Sequence, residues 1–167
     1  MPIEPIIDPA AYDPAAIDVP LTQIREVNAQ RGTFEQLDGI LRFDPEVKLI
    51  VGVRHIRPDA FWVPDHVPGR PLLPGVLMLE SLAQLCSYYY NRVWDPNDKR
   101  FFGWGGLEGV TFRAAVLPGE TLILAARADE LRDRRAIFTC QAFSKGRCVV
   151  EAKIIGMVVR DARWTGK

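Results

Sequence analysis

Two titratable side chains stand where proton-transfer chemistry could be done. His66 lies in the loop-like stretch FWVPDHVPGRP, and Glu80 in the apolar run that follows it. Histidine is the side chain whose ordinary pKa best suits proton abstraction near neutral pH. Glu80 is the only charged residue between Pro71 and Asn91. Burying an ionised carboxylate alone is costly, so such a group must find a partner or become neutral. A carboxyl held in apolar surroundings keeps its proton to higher pH and can then donate it. Gly75 stands where a helix is expected to begin. Free N–H groups at a helix start stabilise negative charge, and glycine lets a substrate approach the backbone closely. Base, acid and oxyanion donor would share one mouth if the loop folds over the helix start. Each residue also has an ordinary reading: a carboxylate favoured by the helix dipole, a solvated loop histidine, and a Pro-Gly hinge. Residue types alone leave both readings open. His55, the other histidine, falls in a strand pattern and reads as structural.

The elements that must position these groups follow from periodicity. Residues 71–94 contain no breaker after Pro74-Gly75 until Asp95-Pro96, the punctuation of one long helix. Val76, Leu77, Met78, Leu79, Leu82, Ala83 and Leu85 cover almost every side of it, so it should be buried on most faces. Ahead of the helix, residues 21–30 suit a short helix, residues 34–42 begin a β pattern, Asp44-Pro45-Glu46 turns the chain, and residues 47–56 read as a strand. Behind it, strands are expected over 107–117, 121–131, 135–144 and 147–159, linked as an antiparallel meander. Residues 1–20 carry five prolines, which suit neither helix nor inner strand, so an extended arm is expected there. Residues 21–167 would then form one domain. Strands, one buried helix and more strands imply an α+β arrangement, with a curved antiparallel sheet wrapped around a long central helix.

Composition narrows the function classes. The chain has 167 residues, 48% of them apolar, enough for one real core. Formal net charge is zero and the basic residues are scattered, so no nucleic-acid footprint is visible. No apolar run reaches the about 20 residues of a membrane span. The opening MPIEPIIDPA lacks the basic start and apolar run of a signal peptide, which points to the cytoplasm. Cys86, Cys140 and Cys148 have no CxxC spacing, and Cys86 and Cys140 read as small buried hydrophobes. Two histidines without a cysteine cluster argue against a structural zinc site.

HVPGRPLLPGVLMLESLAQ closely resembles the signature of the beta-hydroxyacyl-acyl-carrier-protein dehydratases, in which a histidine, two Pro-Gly pairs and an acidic residue keep this spacing. LDGILRFDPEVKLIVGVRHI and GVTFRAAVLPGETLIL are similar to further segments of the family, so the resemblance spans about residues 34–159. It implies the hot-dog fold, with His66 as catalytic base, Glu80 as catalytic acid, Gly75 N–H on the thioester oxygen, and Gln84 on the glutamine one turn after the acid. The implied reaction is dehydration of 3-hydroxyacyl thioesters to trans-2-enoyl thioesters in fatty-acid or related lipid biosynthesis. The implied substrate is carried on acyl carrier protein or coenzyme A, with no metal or organic cofactor. A homodimer, or a hexamer built as a trimer of dimers, would share His and acid across an interface. The chain departs from the pattern at Asp65, where the family has glycine, at Val67 for phenylalanine, and at Ala29-Gln30-Arg31 for Pro-His-Arg. Asp65 is a candidate modulator, since a nearby negative charge favours cationic histidine, which is no base. Two other readings share the fold: a thioesterase in which Asp65 activates water, and a non-catalytic acyl- or carrier-binding module.

Overall fold

The computed structural model describes residues 4–94 and 101–159. A seven-stranded antiparallel sheet, in the order β1-β2-β3-β5-β6-β7-β4, packs against one long helix. In chain order the elements are β1 (Val19–Pro20), α1 (Leu21–Val27), β2 (Gly39–Asp44), β3 (Leu49–His55), α2 (Gly75–Trp94), β4 (Phe101–Phe112), β5 (Thr121–Arg132), β6 (Arg135–Ser144) and β7 (Arg147–Val159). This is the curved sheet around a central helix expected from the sequence. The Asp95-Pro96 stop signal lies outside the described residues.

α2 is buried along nearly its whole length, with Leu82, Leu85, Cys86 and Tyr89 fully enclosed. Its partners are the inward residues of the sheet, among them Ile40, Ile50, Leu122, Leu124, Phe138 and Ala142. β3 alternates between two cores: Ile50 faces the helix, while Leu49, Val51 and Val53 face outward. The outward set is nevertheless buried because Ile7 of the N-terminal arm lies against it, together with Ile123 and Phe143. The arm is pinned there by Ile6 N–H, which donates to Gln141 Oε1 at 2.8 Å. Covering on both faces explains why β3 reads as a nearly unbroken apolar run. Within the arm, Pro9–Ala11 forms one 3-10 turn capped by Asp8, and Val19–Pro20 adds a short edge strand to β2. Proline at a sheet edge costs no ladder bond.

The strands after residue 121 begin where the sequence predicts them. Lys145 and Gly146, both at positive φ (51° and 74°), make the tight turn between β6 and β7. Two sequence expectations are corrected. The first β pattern starts at Gly39 rather than residue 34, because Gly32–Phe34 closes a 3-10 turn and the next residues connect it to the sheet. β4 runs over Phe101–Phe112 rather than 107–117, and it pairs with β7 instead of β5, so the strands after the helix are not a simple meander. The residues after Phe112 leave the ladder: Val116 C=O accepts from Leu73 N–H at 2.8 Å, beside the segment that leads into α2.

Candidate active site

The loop between β3 and α2 is a chain of turns hung on Trp62, which is buried in the helix-side core. Trp62 C=O accepts from His66 N–H at 2.9 Å and from Asp65 N–H at 3.3 Å. His66 itself is exposed, but its ring is oriented, with Nδ1 lying 2.9 Å from Leu72 C=O. A carbonyl can only accept, so Nδ1 carries the hydrogen of that bond. In the neutral ring the lone pair then sits on Nε2, the nitrogen left for proton abstraction. Asp65 is exposed, and among the described residues no hydrogen bond or ion pair joins it to His66.

Gly75 opens α2, where the first N–H groups have no partner inside the helix. A Cβ at this position would lie 2.8 Å from Cε1 of Phe112, so the ring of β4's last residue rests directly on the glycine. A larger residue would push the half-exposed Phe112 ring aside.

Glu80 follows one turn later and is half-buried. Both of its oxygens are engaged. Oε1 accepts from Gln84 Nε2 at 2.8 Å, and Oε2 accepts from Trp104 Nε1 at 3.4 Å. Gln84 is 3% exposed, and its amide has one possible orientation. Gln36 N–H donates to Gln84 Oε1 at 2.9 Å, so that atom must be the acceptor, while Nε2 donates to Phe34 C=O at 2.8 Å. The chain before β2, which does not form the expected strand, thus supplies the two backbone groups that fix Gln84. Asn28 Nδ2 adds a bond to Gln84 C=O at 2.9 Å.

Beneath this end of the helix lies Arg54, the inward residue at the end of β3. Its Nη1 donates to Leu77 C=O at 3.0 Å and to Ser81 Oγ at 2.8 Å. Burial pushes this guanidinium down to about 10, against the opposing effect of the Asp38 charge. His55, by contrast, is exposed, with its ring against Thr121 Oγ1 at 3.0 Å and its N–H on Asp38. Cys86 and Cys140 meet inside the core with sulfurs 3.5 Å apart, and burial pushes the Cys86 thiol up.

Glu80, Gln84 and Trp104 are therefore brought together within one chain, and His66 and Gly75 flank the helix start. No hydrogen bond joins His66 to Glu80 among the described residues. Sequence reasoning missed Trp104 and Phe112. Both sit on β4, but Trp104 falls before the strand expected over 107–117 and Phe112 reads as an ordinary strand aromatic, and only the β4-β7 pairing brings them over α2.

The family model of the FabA-like domain matches residues 28–153. The 3-hydroxyacyl-[acyl-carrier-protein] dehydratase FabZ of Polynucleobacter necessarius subsp. necessarius is 32% identical over 146 residues, covering 84% of this chain and 92% of that protein. The FabZ of Rickettsia typhi is 28% identical over 140 residues, covering 84% and 96%. Among solved structures, the dehydratase heterocomplex ApeI:P from Xenorhabdus doucetiae aligns with a TM-score of 0.71 at 13% identity, covering 83% of this chain and 91% of that one. A putative thioesterase from Ralstonia eutropha, described as phenylacetic acid degradation-related, aligns at 0.59 and 16% identity, covering 71% and 83%. At such identities the structures speak for the shared hot-dog fold alone. The family match, which runs from the residues around Gln84's clamp through most of β7, and the FabZ alignment over nearly the full relative give the lineage: the chain belongs to the FabA-like family of hot-dog dehydratases.

Proposed function

We propose that this protein dehydrates 3-hydroxyacyl thioesters, carried on acyl carrier protein, to trans-2-enoyl thioesters in fatty-acid biosynthesis. The observation that carries the reading is the pair of oriented groups: His66 with Nε2 left as the basic nitrogen, and Glu80 with its carboxyl held by two donors. His66 Nε2 takes the proton from C2. Negative charge moves to the thioester oxygen, where Gly75 N–H receives it, an interaction worth roughly 3 kcal/mol for one donor. Glu80 serves as the acid, passing a proton to the C3 hydroxyl. The C3–O bond breaks, the C2–C3 double bond forms, and water leaves. Gln84 acts here through Glu80, since its amide is committed to Gln36, Phe34 and the acid itself.

The family resemblance implies a site shared between subunits, with His66 of one chain meeting Glu80 of the other. β4 supports this as an edge strand with exposed Trp104, Leu107 and Phe112, suited to face a second copy. We place the working unit as a homodimer or a trimer of dimers in the cytoplasm, with residues 1–20 as the arm of a single domain over 21–167. No helix among the described residues is long and apolar enough to cross a membrane. Asp65 remains a candidate modulator, its exposed carboxylate acting on His66 through solvent.

The test is hydration of crotonyl thioesters by the purified protein, with acyl-carrier-protein and coenzyme A forms compared and products identified. 3-Hydroxybutyryl thioester is expected, faster from the carrier protein. Release of free thiol instead would replace this reading with hydrolysis.

A further inference from the structure

We propose that Trp104 is a positioning residue for the acid, completing with Gln84 a two-donor clamp that sets the plane of the Glu80 carboxyl; this rests on the dehydratase reading above. The terminal torsion of a glutamate is broad, so a carboxyl with one partner still swings about its own axis. Glu80 has two donors from different elements. Gln84 on α2 holds Oε1 at 2.8 Å, and Trp104 on β4 holds Oε2 at 3.4 Å. Neither element can rotate the carboxyl without breaking a bond to the other. Among the described residues no charged side chain is hydrogen-bonded to Glu80, so these two neutral N–H groups are its recorded side-chain partners.

The local backbone explains how a strand residue reaches the helix. The pairing of β4 with β7 slips between Trp104 and Gly106: Trp104 faces Gly156, and Gly106 faces Ile155. Gly105 is the extra residue of this bulge. A Cβ there would lie 2.6 Å from Cγ of Met157 and 3.2 Å from Ile155 C=O, so the bulge is built for glycine. A bulge bends its strand and re-aims the neighbouring side chain. Trp104 is 44% exposed in the single chain, so packing within its own core is a poor account of the indole, and the competing account is contact with the second copy placed at this edge above.

The clamp also has a chemical direction. Hydrogen bonds to a carboxylate are shorter and stronger than those to a neutral carboxyl. As Glu80 hands its proton to the departing hydroxyl, both N–H groups tighten on the charge that develops. An interaction that strengthens along the reaction raises turnover and leaves ground-state binding alone.

The experiment uses the full chain and Trp104→Phe, which keeps an aromatic ring and removes the N–H. The expected result is an unchanged melting temperature, KM within about twofold, and kcat lower on the order of fivefold, the scale of one lost hydrogen bond. A second measurement needs no turnover. The Trp104 indole N–H resonance, assigned by its loss in Trp104→Phe, should shift in Glu80→Ala while the other indole signals stay. If kcat is unchanged and the indole signal ignores Glu80→Ala, the clamp does not exist. If wild type shows no dehydration yet the indole signal responds, the clamp stands and the reaction assignment falls.

Discussion

At the scale of single residues, the arrangement is decided by which atoms are already spoken for. The His66 ring spends Nδ1 on Leu72 C=O, and the other histidine, His55, has its ring set against Thr121 Oγ1. His66→Ala should therefore remove at least about 100-fold of the dehydration rate, the usual scale of a general base. The thermal melt should not move, because the side chain is exposed. Near-wild-type turnover in the folded variant would take the base role away from His66. Gln84 is the opposite case, enclosed and saturated. Gln84→Leu would leave the buried Gln36 N–H without a partner at a cost of about 1–3 kcal/mol, would release the part-buried Phe34 C=O, and would free Glu80 Oε1. Denaturant unfolding should show the loss, and activity should fall with it. A variant as stable as wild type would mean that the two backbone groups find other partners. The acid and the base were legible in the sequence because an isolated charge in an apolar run and a histidine between prolines stand out. The indole on Glu80 was not, since Trp104 lies in a glycine-rich stretch ahead of the strand expected over 107–117 and nothing local marks it as an acid's donor.

At the scale of elements, α2 is the part everything else is fitted to. Leu85 is fully buried at its centre, so Leu85→Ala should cost about 2–5 kcal/mol through lost contacts and the cavity left behind. A measured loss below 1 kcal/mol would mean the sheet collapses onto the helix more readily than its packing suggests. α2 and the β5-β6-β7 hairpins were readable because their boundaries carry strong punctuation: Pro74-Gly75, Pro118-Gly119, Arg132-Asp133-Arg134 and Lys145-Gly146. β4 was not. Its first half, FFGWGG, is rich in glycine, a residue depleted in strands, so the pattern seemed to start later. Its place beyond β7 was hidden as well, because Pro118-Gly119 looks like a hairpin turn when it in fact ends a crossing segment. β2 was misplaced the other way: the apolar Phe34 and Leu37 drew the pattern too early, while the Phe34 and Gln36 backbone groups are used to hold Gln84.

At the scale of the whole molecule, one edge of the sheet is closed by the short β1 and the other is the long β4. Long exposed edges invite pairing, and β4 carries exposed apolar side chains beside the candidate acid. Sedimentation at micromolar concentration should therefore show a dimer or an assembly of dimers. A monomer that still turns over substrate would sink the shared site and require His66 and Glu80 to meet within one chain. Because Gln84 and Trp104 belong to the same chain as Glu80, each acid would be set before any partner histidine arrives.

The arm that crosses the outside of the sheet is made early and secured late. Ile6 is anchored on Gln141, 135 residues further along the chain. At a synthesis rate of about 5–20 residues per second, its docking site leaves the ribosome on the order of ten seconds after the arm does. In that interval Ile6 lacks its anchor, although the β3 residues that Ile7 packs against, Leu49, Val51 and Val53, are already made. Closing so distant a contact is a late event in a search ruled by loop entropy. The helix-side core gains no lead over it, since Phe138, Cys140 and Ala142 share β6 with Gln141 and Val150 and Ile154 follow on β7, so the inner core and the arm's anchor become available together.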